Sequence, residues 1–163
     1  MPRVSDLAVR TADPDDHARI TAVLGRAFPV DPVYRWLFPD PRVRAQRTGP
    51  LIGTMVRHLH RTAITEVALS DGALVGAAVW DRPGAVDAPG WRIALALPGM
   101  VRATGRDLPR LVRLGERLEG ARPERPHWYL FHLGADPDRQ RRGVGSALLR
   151  SMLERCDIEG APA

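Results

Sequence analysis

The stretch His127-Trp128-Tyr129-Leu130-Phe131-His132-Leu133-Gly134-Ala135-Asp136-Pro137-Asp138-Arg139-Gln140-Arg141-Arg142-Gly143-Val144-Gly145-Ser146-Ala147-Leu148-Leu149 changes character twice. His127–Ala135 follows Pro126 and is bulky at nearly every position, as expected of a strand covered on both faces and central in its sheet. Asp136–Arg142 is polar loop. From Gly145 to Cys156 the spacing is helical, with Ala147, Leu148, Leu149, Met152, Leu153 and Cys156 on one stripe. The loop enters that helix through Gly143 and Gly145, where glycine permits positive φ and close approach of a ligand to the backbone. Successive N–H groups there can converge on one concavity, and the helix N-terminus adds partial positive charge. Arg139, Arg141 and Arg142 add formal charge. Together these features describe a seat for a diphosphate. The segment is not a Walker loop, because no Lys-Ser/Thr follows the glycines, and it lacks the third glycine and later acidic residue of the dinucleotide fingerprint.

Outward from this segment the chain alternates between two periods. Leu7–Arg10 reads as a short strand, and Asp13-Pro14-Asp15-Asp16 as a helix start with carboxylates at the positive end of the dipole. Ile20, Val23, Leu24, Ala27 and Phe28 follow at helical spacing. Asp31-Pro32 opens a short helix with Val33, Trp36 and Leu37 on one face, and Pro41–Arg61 reads as a third helix bent at Gly49-Pro50. Then the period becomes two: Ala63–Leu69 and Ala73–Trp80 are strands joined by the hairpin signal Ser70-Asp71-Gly72. Asp81–Gly90 is a Pro- and Gly-rich loop, and Trp91–Ala103 and Leu108–Gly120 are helices before the decisive strand.

The composition is that of one ordinary globular domain: 163 residues, 44% hydrophobic and 26% charged, neither disordered nor collagen-like. A single cysteine, Cys156, excludes an internal disulfide framework and any CxxC zinc site, and it sits on an apolar stripe as a core residue. No signal peptide and no membrane-length apolar run is present, so a cytoplasmic protein with no membrane partner is expected. The net charge of +5 comes entirely from arginine; without lysine, Schiff-base chemistry is excluded. Arg106, Arg110, Arg113 and Arg117 recur at helical spacing opposite Leu108, Leu111, Val112 and Leu118. That stripe is the feature behind an alternative reading as a basic nucleic-acid or phosphate-binding module. The plainer reading is the solvated face of an amphipathic helix, and nucleic acid is not the expected partner.

Gln140-Arg141-Arg142-Gly143-Val144-Gly145 resembles the Q/R-x-x-G-x-G/A acetyl-CoA motif of the GNAT superfamily of N-acetyltransferases. The preceding strand ending in Gly-Ala-Asp-Pro looks like the fourth strand of that fold, and the order of elements fits. Ala27-Phe28 through Phe38-Pro39-Asp40 is similar to the front helices of a branch that includes puromycin-type acetyltransferases. The resemblance implies an α/β (α+β) GNAT-type acyl-CoA N-acyltransferase fold over residues 1–163, a mixed central sheet flanked by helices. It implies transfer of an acetyl group from acetyl-CoA, as co-substrate and without metal, to a primary amine of a small molecule or peptide by direct attack. Backbone N–H groups from Gln140, Arg141, Arg142, Gly143, Val144, Gly145 and Ser146 would hold the pyrophosphate. Leu133 and Ala135 would pair through their main chain with the pantetheine arm, and an N–H near Leu133 would polarise the thioester carbonyl.

The attacking amine needs a base. Tyr129 stands where some family members place a glutamate, and His132 has a suitable ordinary pKa; each also reads as a packed strand residue. Glu66 reads as a solvated strand carboxylate, and Asp31 and Asp40 as helix caps. The family continues with a fifth strand, parallel to the fourth, whereas this sequence ends at Ala163. The resemblance therefore implies a sheet without its C-terminal strands. Two expectations follow: a C-terminally truncated, catalytically poor CoA-binding protein as the alternative function, and a homo-oligomer that completes the sheet edge.

Overall fold

The computed structural model describes residues 7–60, 62–84, 89–123 and 125–163. Four strands, β1 (Leu7–Thr11), β2 (Ile64–Ser70), β3 (Ala73–Asp81) and β4 (Tyr129–Ala135), form one sheet in the order β1-β2-β3-β4. All three ladders are antiparallel. Among the described residues the helices are α1 (His17–Ala27), α2 (Pro32–Leu37), α3 (Pro41–His58), α4 (Gly90–Thr104), α5 (Leu108–Gly120) and α6 (Val144–Glu159). The α/β architecture, a central sheet between helical layers, is the one the sequence implies.

Local chemistry sets most boundaries. Asp71 and Gly72 adopt φ of 51° and 74°, the two positive values that a tight Asp-Gly hairpin turn requires. Asp31 caps α2 by accepting from the N–H of Val33 (2.8 Å) and Tyr34 (3.4 Å), and Asp40 caps α3 by accepting from Arg42 (2.9 Å). α2 faces inward differently from the sequence expectation: Tyr34 and Leu37 are buried, whereas Val33 and Trp36 are 41% and 43% exposed. Leu37 lies i+3 from Tyr34 and i+4 from Val33, so its spacing admits either on its face, and it is Tyr34 that turns inward. α6 runs past Cys156 to Glu159 and ends at Gly160 with φ of 61°, so the tail is helical for one more turn than expected.

Two cores result. On the front of the sheet, Leu24, Leu37, Phe38, Leu51, Ile52, Val67 and Val79 pack together beneath α1, α2 and α3. α1 and α3 approach backbone to backbone, since a Cβ at Gly25 would lie 2.7 Å from Gly49 Cα. On the back, Trp80, Trp128, Leu148, Met152 and Cys156 fill the space under α6. Gly76 on β3 makes this possible: a Cβ there would meet Val144 Cγ1 at 2.5 Å and Leu148 Cδ1 at 3.3 Å. The first turn of α6 therefore rests directly on β3.

β4 pairs with β3 and, among the described residues, is the last strand of the sheet, so a strand with the bulk of a central one has an unpaired outer edge, as expected of a sheet without its C-terminal strands. It is bulky because both of its faces are covered: α1 packs onto Gly134, and α6 covers the side of Leu130, Leu133 and Ala135. Its register with β3 breaks once, with Val79 opposite His132 and Trp80 opposite Leu130. Phe131 is the extra residue of a β-bulge.

Candidate active site

The loop after β4 is shaped by two left-handed residues, Arg141 at φ 60° and Gly143 at φ 83°. Gly143 is the N-cap of α6 and no side chain caps the helix. The first helical bond is the one Ala147 N–H donates to the Gly143 carbonyl, 2.9 Å. The N–H groups of Val144, Gly145 and Ser146 consequently point out of the helix end without an intrahelical acceptor. A Cβ built on Gly145 would meet nothing nearer than Leu133 Cδ2 at 4.0 Å, so the space over this turn is open. Gln140, Arg141 and Arg142 are exposed around it. Bare amides, the positive end of a helix dipole and exposed guanidinium groups are chemically suited to an anion such as a diphosphate.

This seat opens onto the edge of β4. Asp136 N–H donates to the Val75 carbonyl on β3 at 2.8 Å. Alternation along a strand then aims the main-chain groups of Ala135 and Leu133 away from β3, toward the outer edge. Gln140 Nε2 donates to that outward Ala135 carbonyl at 3.3 Å. Near the other end of the strand, Trp128 N–H donates outward to the Pro162 carbonyl at 2.8 Å.

On the front of the sheet the bulge gathers polar and aromatic groups. The Tyr34 hydroxyl and His132 Nε2 share a hydrogen bond of 2.7 Å, and Phe28 lies edge-on to the His132 ring. His132 is buried, its Nδ1 has no partner among the described residues, and burial with nearby His60 pushes its pKa down to about 3. Burial likewise raises the Tyr34 hydroxyl. Phe131 is T-shaped to His132 at 4.4 Å on one side and stacked on His60 at 3.7 Å on the other. His60 Nδ1 lies 2.8 Å from Asp81 Oδ1, and Arg122 reaches Asp81 Oδ2 at 3.5 Å. Tyr129, opposite Asp81 in the ladder, is half-buried beneath the Arg122 guanidinium at 4.1 Å. The two sequence candidates Tyr129 and His132 thus lie on one face of β4, separated by the bulge. Tyr34, His60 and Asp81 were not singled out by sequence. For Tyr34 the available signal is its i, i+3 spacing from Leu37, whereas nothing local marks His60.

Residues 30–163 match the acetyltransferase (GNAT) family. The chain belongs to the GNAT family of acetyltransferases. It is similar in structure to a protein of Corynebacterium glutamicum described as a histone acetyltransferase HPA2 and related acetyltransferase. That match has 26% identity and a TM-score of 0.69, and covers 93% of this chain and 72% of the other. A GNAT family acetyltransferase from Brucella melitensis, in complex with acetyl-CoA, shares the fold at 18% identity and a TM-score of 0.52, over 95% of this chain and 71% of that one. Acetyl-CoA-dependent acyl transfer to an amine is the activity class of this family.

The residues present fit acetyl-CoA. The uncapped α6 turn suits its diphosphate, the open space over Gly145 admits it, and the outer edge of β4 offers main-chain groups to an amide-bearing arm. Among the described residues no group of three or more His, Cys, Asp or Glu is placed to hold a metal ion, and no helix is long and apolar enough to cross a membrane. Glu66 departs from expectation: it is buried on the back face, accepts a hydrogen bond from Ser151 at 3.0 Å, and its carboxyl is raised by that burial. The α6 helix covers it, which the β2 sequence does not record. Cys156 is buried in the back core. Arg110 of the arginine stripe donates to the Trp36 carbonyl at 3.0 Å, tying α5 to α2.

Proposed function

We propose that this GNAT chain transfers the acetyl group of acetyl-CoA to a primary amine of a small molecule or peptide. The observation that carries the reading is the uncapped N-terminus of α6, set behind Gly143 and opening onto the free edge of β4. Backbone N–H groups of the Gln140–Ser146 loop, with Arg141 and Arg142, would hold the diphosphate. Main-chain groups of Ala135 and Leu133 would hold the pantetheine arm, as one strand holds another. Bound acetyl-CoA supplies an acyl group activated as a thioester. The outward Leu133 N–H is the donor suited to the carbonyl oxygen as negative charge develops on it. No protein nucleophile is required, in keeping with a buried Cys156 whose thiol burial raises.

Tyr129 and His132 would then line the acceptor side of the strand. His132 serves that side as a fixed neutral wall, because burial keeps its proton affinity too low for a base near neutral pH. The same outer edge of β4 is where a second copy of the chain would add a strand. The test is titration calorimetry with acetyl-CoA together with free-thiol release over a panel of small amines and short peptides. Saturable binding with amine-dependent thiol release is expected. Absence of either from folded protein overturns the reading.

A further inference from the structure

We propose that His60, oriented by Asp81, is the catalytic residue that takes the proton from the incoming amine. The inference rests on the acetyl-transfer reading and goes beyond it by naming the proton acceptor. Asp81 Oδ1 lies 2.8 Å from His60 Nδ1. A carboxylate accepts and does not donate, so Nδ1 carries the hydrogen and the lone pair belongs to Nε2. Among the described residues Nε2 has no hydrogen-bond partner. The arrangement is the one in which a carboxylate holds an imidazole in its proton-accepting tautomer. Arg122 holds the other oxygen of Asp81 at 3.5 Å, which keeps that carboxylate aimed.

The position follows from the strand. The loop at residues 140–146 and the outward groups of Ala135 and Leu133 set a direction along β4, from the diphosphate end toward the bulge. Two residues beyond Leu133, roughly 7 Å at the rise of a strand, is Phe131. The His60 ring stacks on Phe131 at 3.7 Å. The proton acceptor therefore stands two residues along β4 from Leu133, whose N–H would face the acyl carbonyl, on the side where the acceptor amine would approach. It stands on the front face, among Phe131, His132 and Tyr129. The titratable and charged groups around it are Asp81 on β3, Arg122 beyond α5, and His132 and Tyr129 on β4.

The acceptor arrives as an ammonium. One proton passes to His60 Nε2, directly or through one water, and leaves the nitrogen with its lone pair. Nitrogen bonds to the acyl carbon as the carbon–sulfur bond breaks, and the departing thiolate takes the second nitrogen proton. His60 returns its proton to solvent, so charge and atoms balance.

The experiment compares parent, H60Q and D81N for acetyl-CoA binding by calorimetry and for thiol release against pH. Two acceptors are used: an alkylamine that is an ammonium at the assay pH, and aniline, which is already neutral. H60Q is expected to bind acetyl-CoA as the parent does, to lose ~10²–10⁴-fold in kcat/KM for the alkylamine, and to lose the acidic limb of its pH profile. Its deficit with aniline is expected to be much smaller, which a structural defect would not produce. D81N, which only positions His60, is expected to lose less than H60Q. A parent that acetylates both amines while H60Q keeps parental rates and pH profile overturns the inference and leaves the function standing. An equal deficit with both acceptors overturns the inference too. A parent that acetylates neither these nor any amine or peptide of the panel overturns the function and the inference with it.

Discussion

Gly143 is held at φ 83° where the loop turns into α6, and this one backbone angle aims the amides of the proposed diphosphate seat. For a β-branched residue such a φ is a genuine outlier. Replacing Gly143 with Val places that strain in the loop at a cost of about 1–3 kcal/mol. The cost surfaces in one of two places. If the loop keeps its shape, folding stability falls by that amount. If the loop relaxes toward negative φ, the amides of Val144, Gly145 and Ser146 no longer converge and the cost appears in ligand affinity. Arg141 and Arg142 beside it are exposed and Gly143 itself is only half-buried, so little packing resists relaxation. The loss is therefore expected mainly in affinity, at about 5–150-fold weaker acetyl-CoA binding. G143A, whose smaller side chain tolerates the left-handed region better, is expected to fall between parent and G143V. Calorimetry gives the affinity and urea unfolding gives the stability. Parental values in both for G143V would refute the argument that this angle organises the site.

Exchange of amide hydrogens along β4 is expected to alternate, slow at Gly134 and Asp136, fast at Leu133 and Ala135, with acetyl-CoA slowing the fast pair; uniform protection without ligand would contradict the outward assignment. Gly76→Val drives a side chain into Val144 and Leu148 and is expected to cost ~1–3 kcal/mol in urea unfolding. Tyr34→Phe leaves His132 Nε2 buried without its partner, an expected loss of ~1–3 kcal/mol by the same measurement. Burial raises the Glu66 carboxyl in the folded state above its unfolded value of about 4.3, so its contribution is fully favourable below that pH and is lost as pH rises through the folded value. Glu66→Gln is accordingly expected to raise the melting temperature at pH 8 and to leave it nearly unchanged at pH 4.

Much of this molecule is written locally. Helical and two-residue periods mark its elements, Asp31 and Asp40 cap their helices within three residues, and Asp71-Gly72 makes its turn alone. The loop from Gln140 to Ser146 is legible for the same reason: its amides, its glycine and its arginines are all contributed by one short run of chain. The orientation of α2 was less so, because Val33 and Tyr34 compete for the inward face and the winner is set by a histidine 98 positions away.

What remained for the tertiary structure is the chemistry that chain crossings create. The bulge at Phe131 exists only in the register of β4 against β3. His60 is the last turn beyond α3 and Asp81 the last residue of β3; they become a pair because the sheet and the front helices end at the same place. Glu66 follows every local rule for a solvated strand carboxylate, yet α6 crosses the back of the sheet above it and removes it from water. Sequence periodicity records which face of an element is apolar, a property of neighbours one turn or two residues apart. Which polar group lands on which partner depends on how those faces are stacked, and that is decided by packing across the whole domain.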